Sequence, residues 1–199
     1  MTFSPLEELE AADLNALDAR IAALEASKYT KIAESILGAA VATVTFSSIP
    51  STYRQLELWM AVRGDTAAQF ASVALQFNSD TGTNYNYENW QAAGASTTSA
   101  ETLSATSLFI GDMPANTTLS GSVSIQVVKI PWYAGTAFWK ATSTSQTANL
   151  QTSAGQASAL FDKHLSGLWR STAAINRVDI KAGAGNFVVN SSFALYGLP

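Results

Sequence analysis

The stretch "SVSIQVVKI", residues 122–130, sets Val123, Ile125 and Val127 at every second position. A period of two is that of a β-strand, whose successive side chains leave opposite faces. The same period, or a short apolar run, recurs on both sides. Upstream lie "TVTFSSI" at 43–49, "RQLELWMAV" at 54–62, "ASVALQF" at 71–77 and "TSLFI" at 106–110. Downstream lie "TAFWKAT" at 136–142, "ASALFDKHLSGLW" at 157–169, "RVDIKA" at 177–182 and "SFALYGL" at 192–198. Segments rich in turn formers separate them, such as "SIPST", "SDTGTN", "GDMPAN", "PWYAGT" and "GAGN". About eight to ten short strands with polar turns and no interleaved helices predict an all-β, antiparallel β-sandwich of jelly-roll-like type. That body is expected over residues 29–199, with the Ser/Thr/Ala-rich segment 92–107 as its longest loop.

Residues 1–28 follow another period. Ser4 is placed to cap a helix, Pro5 suits its first turn, and Glu7 lies three residues after the cap. Leu14, Leu17, Ile21 and Leu24 then follow at spacings of three, four and three, an a/d seam over two heptads. In this register Arg20 is a g position and Glu25 the following e position, a pair of opposite sign suited to bonding between parallel chains. One reading is an amphipathic helix lying on its own domain. The narrow stripe, confined to a and d, favours self-association instead. Two heptads are too short to hold alone in water, so the bodies they join must add contacts. The seam itself permits dimers as well as trimers.

Bulk composition excludes several classes. With no cysteine, neither disulfides nor thiolate chemistry is available, and a structural zinc site is excluded with them. The formal charge of −4 sits in residues 1–28, which carry six acids against two bases, while the rest is balanced. A neutral body without clustered cations is not expected to bind nucleic acid. No apolar run is long enough to span a bilayer, and no secretory leader is expected. His164, the one histidine, has Asp162 nearby, but alternation sets both on one strand face rather than aiming one at the other. No carboxylate pair is singled out by spacing, as a glycosidase would need. Glu57 and Asp179 are expected on polar sheet faces, and Asp65, Asp80 and Asp112 in turns beside glycine. The expectation is a protein that is not an enzyme, with no cofactor and no metal.

"FNSDTGTNYNYENW", residues 77–90, has the composition of a sugar or calcium loop, but also of an ordinary turn. The EF-hand pattern fails, because its glycine and terminal glutamate fall in the wrong places. Tyr85, Tyr87 and Trp90, with Asn86, remain candidates for contact with a neighbouring subunit or a sugar ring. Trp59, Trp139 and Trp169, in strand-like runs, are expected in the core or at a subunit interface.

Three phrases carry a resemblance. "VTFSSIPSTYRQLEL" at 44–58, "LQFNSDTGTNYNY" at 75–87 and "NFVVNSSFALYGL" at 186–198 follow one another as in a group of tailed-bacteriophage virion proteins. The chain resembles these over about residues 29–199. The resemblance implies a jelly-roll-like sandwich, commonly a homotrimer, found in tail fibres, receptor-binding tips and capsid-surface decorations. It implies that the helix is a trimeric stem or anchor, and that Asp80, Gly82, Asn84 and Tyr85 form the family's recurring turn. Gly82 would supply φ > 0 there, and Asp80 and Asn84 would bond backbone N–H groups. It further implies a virion-surface location, assembly in the bacterial cytoplasm and contact with other virion proteins. The short chain, with its helix at the start, favours a capsid decoration or head-fibre knob. The alternative is a receptor-binding tip that grips a host-surface glycan or protein.

Overall fold

The structure is a computed structural model. It describes residues 11–26, 29–153 and 160–199, with the helix side chains described from 14 to 21. Helix α1 (Ala11–Ala26) precedes twelve described strands: β1 (Thr30–Ile36), β2 (Thr43–Phe46), β3 (Gln55–Val62), β4 (Phe70–Phe77), β5 (Tyr85–Ala93), β6 (Ser96–Ala105), β7 (Leu108–Pro114), β8 (Ser124–Pro131), β9 (Lys140–Asn149), β10 (Leu160–Trp169), β11 (Val178–Ala182) and β12 (Ser192–Leu198). They form an eight-stranded sheet, β1-β12-β3-β8-β9-β10-β5-β6, and a four-stranded sheet, β2-β11-β4-β7. The paired strands run antiparallel, consistent with an all-β sandwich. The predicted capping residues Ser4, Pro5 and Glu7 lie outside the described residues.

Alternation fills the space between the sheets. β3 turns Leu56, Leu58, Met60 and Val62 inward, β12 adds Phe193 and Leu195, and β4 adds Val73, Leu75 and Phe77 from the facing sheet. Burying each such side chain contributes about 1.5–3 kcal/mol. The interior turns polar towards β9 and β10. β9 buries Lys140, Thr142, Thr144 and Gln146, and β10 buries Lys163. β7 brings Asp112 against them: Lys163 Nζ donates to its carboxylate, and Gln146 accepts its backbone N–H at 2.9 Å. The Asp112 carbonyl accepts from Gln126 and Gln146. Burial pushes the Asp112 carboxyl above its ordinary value, against the pull of Lys163.

Three expectations change. Residues 92–107 are not a long loop; they end β5, turn at Gly94, and form β6. β6 is an exposed edge strand without a buried face, so it shows no apolar alternation. "TAFWKAT" is a loop up to Trp139, and β9 begins at Lys140 and runs on through polar residues to Asn149. "GDMPAN" is not a turn, since residues 111–114 finish β7 and Asp112 is a buried strand residue. Pro114 is tolerated there because β7 is the edge of its sheet. Glu57 and Asp179 lie on the faces opposite the apolar ones, as expected, and both are buried there among polar partners.

β8 sits with its apolar alternation outwards. Pairing Leu58 with Val128 and Leu56 with Ile130 turns Ser124, Gln126, Val128 and Ile130 inward. Ile125 and Val127 therefore point away from the core. A slip of one residue would reverse this. It would also expel Gln126 from its bonds to Asp112 and Ser124.

Candidate functional site

The helix seam is open. Leu14, Leu17 and Ile21 are 47, 51 and 46% exposed, so the body of the same chain does not cover them. Arg20 is exposed as well. The side chains of Leu24 and Glu25 lie outside the described residues, and with them the expected g-to-e pairing.

The segment from Phe77 to Trp90 divides by face. Asn78 and Ser79 both have positive φ, 51° and 58°, and Asp80 N–H donates to the Phe77 carbonyl at 2.9 Å. Two consecutive left-handed residues inside that bond make a type I′ turn. Gly82 is not among the positive-φ residues, which corrects the expected role. It is needed for space: a Cβ would stand 2.8 Å from Asn84 Nδ2 and 3.1 Å from Asp80 Oδ1. Asp80 accepts from Gly82 N–H at 2.8 Å, from the Asn84 amide at 2.9 Å and from the Trp169 indole at 2.7 Å. Asn84 thus bonds the Asp80 carboxylate rather than a backbone N–H.

The four aromatic and amide candidates do not form one platform. Tyr85 is fully buried, stacked on Trp169, and its hydroxyl donates to the Asp80 carbonyl at 3.1 Å. Burial pushes that phenol up to about 12. Tyr87 faces the same way, half-buried against Phe109. Asn86 and Trp90 face outwards. Asn86 accepts the Ser104 N–H at 2.9 Å and closes the bulge where β5 meets β6. Only Trp90 keeps an exposed ring, beside His164 with 5.9 Å between ring centres.

His164 lies between Ser145 and Asp162 on the outer face of the large sheet. Ser145 Oγ is 3.5 Å from Nδ1, and Asp162 Oδ2 is 3.9 Å from Nε2. Asp162 does approach a ring nitrogen, contrary to expectation. The order of groups is that of a catalytic triad. The distances are long for hydrogen bonds, and both His164 and Asp162 are more than half exposed. On an open sheet face, water competes for each contact.

The loop between β8 and β9 is a site that alternation did not reveal. Trp132 and Phe138 are 72% and 81% exposed, and Trp139 stands beside them. They line an apolar cavity of about 380 Å³ with Gly135, Thr136 and Ala137. Trp132 has φ 53°, a strained value for a bulky residue. The loop is held from below. Tyr133 is fully buried and its hydroxyl donates to the Pro50 carbonyl, while Lys140 donates to the carbonyls of Phe138 and Thr172. Burial lowers the Lys140 ammonium from its ordinary value. The sequence signal was "PWYAGTAFW", an aromatic cluster around a turn. Of the other tryptophans, Trp169 is core and Trp59 is half exposed.

No group of three or more metal-ligating side chains occurs among the described residues, and no described helix is long and apolar enough to cross a membrane. The chain matches no protein-family model and no curated protein.

Proposed function

We propose that the chain is a structural protein of a tailed-bacteriophage virion. It is a homotrimer acting as a capsid decoration or head-fibre knob, with a jelly-roll-like body and α1 as its stem. The observation that carries this reading is the exposed a/d seam on a helix separated by three residues from the first strand of the β-body. Such a seam is buried only by another copy or another protein. The three phrases shared with phage surface proteins set the context. A cysteine-free chain suits assembly in a reducing cytoplasm. Immunogold labelling and protein quantification on purified virions test the proposal. Many copies on the head are expected. Label confined to the tail end would contradict the decoration role, and absence from particles would contradict both that role and the one below.

A second reading is favoured by the aromatic loop at 132–139. A strained loop that holds three exposed aromatic rings suits a receptor-binding tip gripping a host-surface glycan or protein. Purified protein should then compete with phage adsorption, and Trp132→Ala with Phe138→Ala should abolish the competition. No competition by the intact protein contradicts this role.

A further inference from the structure

We propose that a neighbouring copy of this chain docks on the outer face of the eight-stranded sheet around Trp59 and Ile125. The inference rests on the homotrimer reading and names the surface that completes it. The register sets two rows side by side on this face. One runs Ala61–Ile125–Thr147 and the other Trp59–Val127–Ser145, across β3, β8 and β9. None of the six is charged. Trp59 is 47% and Ile125 57% exposed, and a shallow hollow of about 250 Å³ lies against them. The outward apolar alternation of β8 thus faces water in the single chain. A contiguous apolar patch of this kind marks a protein contact.

Two observations point to a second copy as the occupant. First, the helix is tethered beside the patch. Three Cα–Cα steps separate Ala26 from Tyr29, a reach of about 11 Å. The Tyr29 ring packs on Trp59 and Tyr196, with centres 6.4 and 6.3 Å apart. Whatever direction the helix takes, helices joined along their seams gather these patches near one axis. The two-heptad seam also needs support from the bodies. Second, the patch is ready to be dried. Glu57, its buried carboxylate, accepts from Gln55 and Trp59, each at 3.0 Å, and the exposed Glu34 that also lines the hollow is already held by Lys31 Nζ at 2.7 Å. The Trp59 indole N–H is satisfied by that bond, so covering it strands no polar group.

Hydroxyl-radical footprinting of the full chain, with sedimentation equilibrium on the same samples, tests this. The wild type should be trimeric, with Trp59 and Ile125 labelled several-fold less than in the dissociated Leu17→Asp variant, while Trp132 and Phe138 label equally in both. Ile125→Lys should weaken assembly tenfold or more (about 1.4 kcal/mol) with the circular dichroism of the wild type. A wild-type monomer would overturn the homotrimer reading and this inference with it. A trimer whose Trp59 labels as freely as in the dissociated chain would overturn this inference alone. Shielding of Trp59 in a monomer would mean that the chain's own helix covers the face, which also overturns it.

Discussion

Asp80 ties β4, β5 and β10 together through one carboxylate. Burial acts to raise its pKa, but the bonds from Trp169, Asn84 and Gly82 outweigh it, so the carboxyl titrates below its ordinary value. An unfolded chain takes up this proton near pH ~3.9. The stability Asp80 adds is therefore present above that pH and lost as pH falls through the lower folded value. Asp80→Ala should cost about 2–3 kcal/mol in urea unfolding at pH 7. Asp80→Asn should flatten the wild type's loss of stability between about pH 5 and pH 3; an unchanged acid slope would contradict the assignment. The residues of this turn were legible in the sequence, because Asp, Gly and Asn at short spacing mark turns. The role of Gly82 was not. Composition does not show that Asn78 and Ser79 take the positive φ, or that Asn84 and Asp80 close over the glycine.

At the scale of elements, strands with an apolar inward face, such as β3, β4 and β12, were read almost to the residue. β9 was not, because its buried face is Lys140, Thr142, Thr144 and Gln146, and hydropathy reports no core there. β1 and β6 were missed as edge strands with partly or wholly solvated faces. The polar interior of β9 holds a buried ion pair whose members depend on each other. Lys163→Met should destabilise the fold by about 3–5 kcal/mol, because the Asp112 carboxylate is left without its cation. Chemical denaturation measures this, and a change within about 0.5 kcal/mol would contradict it. Helix α1 behaves differently. Spacing alone marked its apolar stripe, and under the proposed self-association Leu17→Asp or Ile21→Asp should lower the assembled mass while the β-sheet circular dichroism stays unchanged. Unaltered mass would show that the seam packs within its own chain.

For the whole molecule, an open seam, an apolar patch around Trp59 and Ile125 on the outer sheet face and an aromatic loop all lie unfilled in the single chain. The candidate site from Tyr85 to Trp90 was legible only in part. Alternation along β5 sends Tyr85 and Tyr87 inwards and Asn86 and Trp90 outwards, and a cluster in sequence became two faces in space. The aromatic loop was misread because an apolar run is equally a strand or a display surface until its partners are known. The proposed association would join these features into one account by burying the seam. Sedimentation equilibrium of the intact chain at micromolar concentration tests that directly. The account predicts a mass three times the 21.0 kDa of the chain. A single species at 21.0 kDa would contradict it.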